Sequence, residues 1–493
     1  MTIIELARRA TRQLPSGLHV PFFDLTGTES LELCAGIGGL ALSTEFVTGA
    51  KTTLVAEVHP EACKIMAKRF PNARNLGDAK KIDWEQYRGK TQVVSAGFPC
   101  QDISQAGTRE GIKGMRSGLW FDIATGLWIM RPEHVFLENV AAIRTRGLYA
   151  VLGSLHEMKY NAWWGILGAD DVGACHIRKR WFCYAEPSRH ARRSPTTIYG
   201  TYDPDTHTWR TPQHDEIGDS KSCKHLFTKW GSMRDGELSE LEAPANATRD
   251  APSLPTVRAA DGGRGPTLKS TVHQGSDDLV TVLTKLFRRN PSVYEEHPEW
   301  LGAKPTIYLK TPTAYLGSSG AAQHPDQRKA GKHGPTLDDE VCFLLNVRPE
   351  DEAGDGPFSP AEWWNEFLPA VRRWECLSQS AAPIPVIRGP RGGVKVNPRF
   401  VEWMMGLPEG WATEVEGVSL GEQISRIGNG VMPLQSVTSF VLLLQAKREH
   451  EAAEMSGVDD EPKPEIEDED AVAIIKRVDA LLAEVSALMA EAA

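Results

Sequence analysis

Apolar and polar positions alternate in two ways between residues 30 and 186. Short apolar runs predict strands at 30–35, 52–57, 92–97, 134–139, 161–169 and 181–185. Stretches near 38–48, 59–69, 117–130 and 148–158 instead repeat their apolar residues with helical spacing. Strands that alternate with helices are typical of a parallel sheet covered by helices on both faces. We therefore expect an α/β domain in this part of the chain.

The pattern changes after residue 186. Pro, Gly, Ser, Thr and Asp dominate residues 187–395, and clear periodicity returns only at 397–411 and 423–445. The acidic stretch 459–470 predicts a disordered linker. Beyond it, apolar residues spaced 3, 4, 3 and 4 apart form a two-heptad seam on a predicted helix at 471–493. This seam is suited to self-association or to docking on the body of the protein, and two heptads leave the oligomeric state open.

Composition narrows the class of protein. The 493 residues are 41% hydrophobic and 24% charged, which is ordinary for a soluble globular protein. We expect no membrane span, because no apolar run approaches about 18 residues, and no secretory signal at residues 1–14. Eight scattered cysteines form no CxxC pair and no zinc spacing, so we expect no metal and a reducing cytoplasm.

The net charge of −10 is unevenly distributed. Residues 449–493 contain 14 acidic and 3 basic residues, a net charge of −11, so the rest of the chain carries +1. A nearly neutral body is compatible with a basic groove for nucleic acid.

The stretch Gly97-Phe98-Pro99-Cys100-Gln101 follows a predicted buried strand. Open α/β sheets bind ligands and carry out chemistry beyond the carboxyl ends of their strands. Cys100 is therefore a candidate nucleophile. The alternative is that Cys100 is one of the many buried cysteines that only pack.

A glycine-rich turn, Cys34-Ala35-Gly36-Ile37-Gly38-Gly39-Leu40, joins the first predicted strand to the first helix. Such glycines let the backbone approach a ligand and direct helix N–H groups at it, although a purely structural turn has the same sequence. Glu57 ends the next strand and suits a ribose hydroxyl pair. Asp78 follows the strand after that and offers a carboxylate to an exocyclic amine. Together they favour an adenosine ligand.

Two further stretches place charged residues at or near the ends of predicted strands. Glu138 lies in Glu138-Asn139-Val140 at the end of the strand that begins at residue 134. A buried carboxyl there would have a raised pKa and could donate a proton, whereas an exposed one would do neither. Arg178 and Arg180 are two residues apart and share one face of a strand, where they could clamp a phosphate or a base carbonyl or form a solvated basic edge.

In order and in type, these stretches resemble the motifs of the DNA (cytosine-5)-methyltransferases over roughly residues 30–186 and 396–445. The glycine turn resembles the S-adenosylmethionine motif, the Pro-Cys stretch the nucleophile loop, and Glu138-Asn139-Val140 the Glu-Asn-Val motif. His176, Arg178 and Arg180 fall on Gln-x-Arg-x-Arg positions. Asn397-Pro398-Arg399 through Pro408 and Gly428-Asn429-Gly430-Val431 resemble the two C-terminal motifs.

The resemblance implies a fold and its domains. The fold is α/β, a Rossmann-like S-adenosylmethionine-dependent methyltransferase sheet with an inserted, irregular target-recognition domain. The implied divisions are an N-terminal extension (1–29), a catalytic domain (30–186), a target-recognition domain (187–395), a segment returning to the catalytic domain (396–448), an acidic linker (449–470) and an amphipathic helix (471–493).

The resemblance also implies residue roles. The catalytic residues are Cys100, Glu138, Arg178 and Arg180. The cofactor residues are Cys34, Ala35, Gly36, Ile37, Gly39, Leu40, Glu57, Val58, His59, Asp78, Ala79, Pro99, Leu119, Asn429 and Val431. Three positions depart from the family pattern, since Cys34 replaces a Phe, Val58 replaces an aromatic residue and His176 replaces a Gln.

The implied activity is methyl transfer from S-adenosylmethionine to C5 of a flipped-out cytosine in double-stranded DNA, for modification that protects against a restriction nuclease. The alternatives are a non-catalytic DNA-binding module of the same fold and a transfer-RNA cytosine-5 methyltransferase. Intact Cys100 and Glu138 disfavour the first, and the inserted segment of about 200 residues disfavours the second. An amino-group methyltransferase is disfavoured because the chain has Phe-Pro-Cys where that chemistry uses an Asp/Asn-Pro-Pro-aromatic loop.

Overall fold

The fold is taken from a computed structural model. It describes residues 23, 25–99, 119–188, 201–203, 208–210, 229–234, 237–241, 305, 307–313, 322, 324–326, 336–352, 356–378, 380–389 and 392–456. Cys100, the acidic stretch 459–470 and the helix expected at 471–493 lie outside these residues.

Thirteen strands occur in the described part of the chain. They are β1 (Glu29–Leu33), β2 (Lys51–Ala56), β3 (Arg74–Asn75), β4 (Val93–Gly97), β5 (His134–Val140), β6 (Tyr160–Gly168), β7 (Lys179–Pro187), β8 (Thr201–Asp203), β9 (Thr208–Arg210), β10 (Trp230–Arg234), β11 (Glu237–Glu240), β12 (Val386–Arg388) and β13 (Val394–Val396). Each of the six strands predicted from apolar runs is present, with ends shifted by no more than two residues.

Ten α-helices accompany these strands in the same ranges. They are α1 (Gly39–Thr48), α2 (Pro60–Arg69), α3 (Leu119–Met130), α4 (Ile143–Arg146), α5 (Leu148–Glu157), α6 (Leu337–Phe343), α7 (Leu368–Ser378), α8 (Pro398–Met404), α9 (Leu420–Asn429) and α10 (Pro433–Ser456). Local signals explain their ends. For example, the His59 side chain caps α2, Pro60 occupies its first turn, and α1 ends at Gly49 with φ 76°.

Nine strands form one sheet in the order 11-10-6-7-5-4-1-2-3. The pairings among β1, β2, β3, β4 and β5 are parallel. The pairings of β7 with β5 and β6, and of β10 with β6 and β11, are antiparallel. The expectation of a parallel sheet was therefore wrong beyond β5. An apolar run predicts a strand that is buried on both faces of the sheet, but it does not show whether that strand pairs parallel or antiparallel with the next.

Hydrophobic clusters cover both faces of this sheet. Successive strand residues point to opposite faces. Accordingly Phe136 and Trp163 pack in one cluster with α1 and α10, whereas Leu137 and Trp164 pack in the other with α3 and α5. The Rossmann-like methyltransferase sheet implied by the resemblance is confirmed. β10 and β11, inside the predicted target-recognition segment, extend that sheet.

The C-terminal helices pack against one face of the nine-stranded sheet. The sequence has no unbroken apolar run of about 18 residues, but an 18-residue window within Leu420–Arg448, with a mean hydropathy of 1.4, is long and apolar enough to cross a membrane by length and composition alone. Most of that window, 78%, is buried inside the protein. Buried Gln435 joins α10 to the sheet, because its amide donates to the carbonyls of Leu167 (2.8 Å) and Arg178 (2.6 Å).

A buried histidine makes stability depend on pH. Burial, assisted by the charge of Lys447, lowers the pKa of His134 to about 4, and its ring nitrogen hydrogen-bonds Tyr184 at 2.9 Å. Between pH 6.5 and 4 the unfolded chain binds a proton that folded His134 does not. The free energy of unfolding should therefore fall as pH falls through this window, by at most about 3 kcal/mol from this residue.

Urea titrations of the protein and of a His134→Gln variant between pH 7 and pH 4 measure this dependence. The variant should lose part of the slope. An identical slope in both proteins would contradict the assignment to His134.

Candidate functional site

The turn between β1 and α1 is held in a conformation that favours glycine. Gly36 and Gly38 have φ of 55° and 79°, and Cys34 also has a positive φ of 56°. The Gly38 N–H donates to the Ala35 carbonyl at 2.8 Å. The backbone N–H groups that begin α1 therefore start at the carboxyl edge of the sheet, which suits the approach of a ligand.

Glu57 lies at the end of β2 beside this turn. One carboxylate oxygen accepts from the Gly36 N–H at 2.7 Å, and the other accepts from the N–H groups of Val58 (2.9 Å) and His59 (2.7 Å). The apolar Val58 side chain is 65% exposed. Glu57 and Val58 thus lie side by side at the position where the sequence predicts that a ribose and its base bind.

Asn75 was not among the residues predicted from the sequence. Its side-chain carbonyl accepts from the N–H groups of Glu57 (3.1 Å) and Gly77 (3.0 Å), and its amide donates to the Glu57 carbonyl at 3.0 Å. It thereby joins the ends of β2 and β3. Asp78 follows and accepts from the Lys80 N–H at 3.0 Å, capping the short 3₁₀ helix Ala79–Lys81. No local pattern marks Asn75, because its partner is 18 residues away.

The C-terminal segment packs directly on the glycine turn. A Cβ atom built on Gly39 would lie 2.2 Å from the Val431 carbonyl oxygen, and one on Gly430 would lie 2.6 Å from the Ile37 side chain. The predicted cofactor residue Val431 is thus at the turn, with Asn429 two residues before it, although 392 residues separate Val431 from Gly39 in sequence.

Arg178 fastens this segment. Its buried guanidinium donates to the carbonyls of Gly430 (2.6 Å), Gly428 (3.1 Å) and Pro312 (3.4 Å). Two of these carbonyls lie at the end of α9, where a cation is favourable. Burial lowers the pKa of Arg178, with the nearby Arg180 adding to the effect and Glu138 opposing it. Arg178 therefore orients backbone in the described structure.

Gly39→Ala should destabilise the protein by about 3 kcal/mol, since backbone must move to admit the methyl group. The measurement is urea unfolding, with Gly393→Ala as the control, because a Cβ there meets nothing within 4 Å. Equal losses in the two variants would show that the close approach of residue 431 does not hold the turn.

Glu138 is the buried carboxylate at the end of β5. One oxygen lies 3.0 Å from the Arg180 Nε, and both side chains are largely buried. Burial raises the pKa of Glu138, and the charges of Arg180 and Arg178 oppose the rise. The carboxyl is thus more readily protonated than an exposed glutamate and keeps a cation beside it.

The residues leading to Cys100 lie next to this carboxyl. Gly97 pairs with Glu138 in the β4–β5 register, and a Cβ on Gly97 would lie 3.5 Å from a Glu138 oxygen. The Asn139 side-chain amide donates to the Phe98 carbonyl at 2.9 Å. Phe98 is buried and Pro99 is exposed. The chain therefore leaves β4 at Gly97 beside Glu138, three residues before the candidate nucleophile.

His176, the residue in place of a Gln, is fully buried. Burial and the charges of Arg178 and Arg180 lower the pKa of His176 to about 3, so the ring is neutral at physiological pH. Neither ring nitrogen has a hydrogen-bond partner among the residues that the structure describes.

The predicted site residues within the described ranges converge on one edge of the sheet. The turn at 34–40, Glu57 to His59, Asp78 and Ala79, and Pro99 follow β1, β2, β3 and β4. Glu138 lies near the end of β5, Arg180 lies near the start of the antiparallel β7, and Leu119 begins α3. Within the same ranges, no group of three or more His, Cys, Asp or Glu side chains could hold a metal ion.

Residues 28–247 match the family model described as C-5 cytosine-specific DNA methylase. The type II methyltransferase M.CviJI of Paramecium bursaria Chlorella virus IL3A is 33% identical over 158 residues, which cover 32% of this chain and 42% of that protein. M.PspPI of Psychrobacter sp. (strain TA137) is 32% identical over 221 residues, covering 43% and 48% respectively. The chain thus matches less than half the length of these relatives. The solved Dnmt2 methyltransferase of S. pombe aligns over 85% of this chain and 99% of that chain with a TM-score of 0.42 and 14% identity.

The sheet has the Rossmann-like α/β architecture that is expected of a methyltransferase fold. Residues 28–247 are similar to the C-5 cytosine-specific DNA methylase family, a match that spans less than half of this chain.

Proposed function

We propose that this protein is a site-specific DNA methyltransferase that transfers a methyl group from S-adenosylmethionine to C5 of cytosine. The observation that carries the proposal is the position of Glu138, buried beside Arg180 and next to the Gly97-Phe98-Pro99 segment that leads into Cys100. The family match over residues 28–247 supports the same chemistry.

The residues around the glycine turn fit the cofactor. Gly39 leaves no space for a Cβ, Glu57 ends β2 among backbone N–H groups, and Val58 exposes an apolar surface beside it. We propose that Glu57 binds the ribose, that Val58 contacts the adenine, and that Asp78 accepts from its amino group. S-adenosylmethionine would supply the methyl group as an electrophile.

The protein's own residues would do the rest. The Cys100 thiolate adds to C6 of cytosine, and the resulting enamine is nucleophilic at C5. Glu138 donates a proton or hydrogen bond to ring N3 as charge develops there, with Arg180 holding its carboxyl in place. After C5 takes the methyl group, with S-adenosylhomocysteine as the leaving group, a base removes the C5 proton. The electrons of that C–H bond re-form the C5–C6 double bond and expel the Cys100 sulfur from C6. Because C6 is inaccessible within a base stack, the cytosine must be flipped out first.

The remaining assignments are also proposals. Residues 187–395 would contain the target-recognition domain, with phosphate and base contacts from its basic residues. The protein would act on double-stranded DNA as part of a restriction-modification system. It would work in the cytoplasm. The helix expected at 471–493 would mediate any self-association.

Incubation of the full chain with methyl-labelled S-adenosylmethionine and mixed DNA, with transfer RNA in a parallel reaction, tests the proposal. We expect label in DNA, located at C5 of cytosine by base-resolution sequencing, and a denaturation-resistant adduct with DNA containing 5-fluorocytosine. Label only in transfer RNA would favour the RNA enzyme. No label in either would favour the binding module, and label on an exocyclic amine would overturn the reaction class.

A further inference from the structure

A buried carboxylate organises the loop that follows α8. Glu402 is 1% exposed and accepts from the N–H groups of Gly410 (2.7 Å), Ala412 (2.6 Å) and Thr413 (3.2 Å), and from the Thr413 hydroxyl at 3.0 Å. Burial raises the pKa of Glu402, and these hydrogen bonds to the charged form oppose the rise. Four donors to one side chain define the conformation of residues 410–413.

Arg69 holds the same loop through its carbonyl groups. It lies at the end of α2, and its Nε donates to the Trp411 carbonyl at 2.6 Å while an NH2 donor reaches the Gly410 carbonyl. The guanidinium also lies over the Trp411 ring, 5.2 Å from its centroid. The neighbouring Phe70 meets that ring edge-on at 6.1 Å. The orientation of the indole is therefore set by α2 as well as by the loop.

The Trp411 indole reaches the glycine turn. Its Nε1 donates to the Ile37 carbonyl at 2.8 Å, across 374 residues of sequence, and the residue is 6% exposed. The next N–H along the chain, that of Gly38, donates to Ala35 at 2.8 Å. Both polar groups of the Ile37–Gly38 peptide are thus hydrogen-bonded, and the residues on either side of Ile37, Gly36 and Gly38, have positive φ.

We propose that Trp411 is a positioning residue for the cofactor turn and that Arg69 and Glu402 hold it in place. The inference rests on the proposed function, because it takes the turn to bind S-adenosylmethionine. Without the indole N–H, the Ile37 carbonyl would be buried without a donor and the peptide would rotate to find one. That rotation would redirect the N–H groups at the start of α1, so cofactor affinity would fall.

Trp411→Phe tests this by removing the N–H while keeping an aromatic ring. Trp403→Phe is the matched control, since its Nε1 also donates to a backbone carbonyl, that of Ser380 at 3.1 Å, away from the turn. The measurements are calorimetric titration with S-adenosylhomocysteine and thermal unfolding. We expect affinity to fall about tenfold in Trp411→Phe and by less than about twofold in Trp403→Phe, with similar losses of Tm.

Arg69→Lys provides a second test that leaves the indole in place. Its control is Arg131→Lys, because Arg131 also donates to a backbone carbonyl, Met158 at 2.6 Å, and lies over an aromatic ring, Tyr160 at 5.1 Å. Only Arg69→Lys should weaken cofactor binding, by about threefold, and in turnover assays it should raise KM for S-adenosylmethionine without changing kcat. If Trp411→Phe does not fold, this pair decides by the same comparison.

The two proposals fail in different ways. If the unaltered protein does not bind S-adenosylhomocysteine, the proposed function is wrong. If it binds, and Trp411→Phe and Arg69→Lys bind as tightly as their controls, the positioning role is overturned and the methyltransferase assignment stands.

Discussion

Replacing Cys100 with serine is expected to abolish methyl transfer, with a loss on the order of 10⁴-fold or more. A serine hydroxyl does not ionise near neutral pH, whereas a cysteine thiol can form the nucleophilic thiolate. Addition of residue 100 to C6 would therefore not occur in the variant. The same variant should form no denaturation-resistant adduct with DNA containing 5-fluorocytosine. Methylated product and adduct are measured in parallel reactions.

Cys342→Ser is the control for this variant. Cys342 is a partly buried cysteine in the inserted segment, with its thiol near Asp338, so the substitution repeats the chemical change away from the sheet edge. It should leave both readouts within about twofold of the unaltered protein. An adduct that persists in Cys100→Ser would contradict the nucleophile assignment, whatever happens to turnover.

Replacing Glu138 with glutamine should lower kcat by about 10²- to 10⁴-fold, because the amide cannot deliver a proton to N3. Binding of DNA should change little. Glu186→Gln is the matched control, since Glu186 is also a partly buried carboxylate on this sheet, 3.1 Å from the Lys447 ammonium. It should retain nearly full turnover.

The pH profile separates a proton donor from a structural carboxylate. Burial raises the pKa of Glu138, so its protonated form persists above the ordinary range of a glutamate. The rate should decline as pH rises through that raised pKa, and this limb should disappear in Glu138→Gln. A limb that is unchanged in Glu138→Gln would contradict the role of this carboxyl.

Much of the site could be predicted because its residues lie at strand ends. An apolar run ending at a glycine turn, at Glu57 or at Glu138 is a local pattern, and parallel strands bring their carboxyl ends to one edge. What the pattern could not provide was each side chain's partner. Arg178 and Arg180, two residues apart, were expected to share a task. In the structure Arg178 donates to the carbonyls of Gly428 and Gly430, and Arg180 pairs with Glu138.

The sequence by itself determined six of the seven strands from β1 to β7 (all but β3), the turn geometry that needs Gly36 and Gly38, and the chemistry available at each strand end. Tertiary structure alone decided the antiparallel direction of β7, the addition of β10 to the sheet, and the contact of Trp411 with Ile37. The physical reason is the distance along the sequence over which each interaction acts. Periodicity and turn preference act over a few residues, whereas strand neighbours and buried hydrogen-bond partners are chosen by packing between segments that can be hundreds of residues apart.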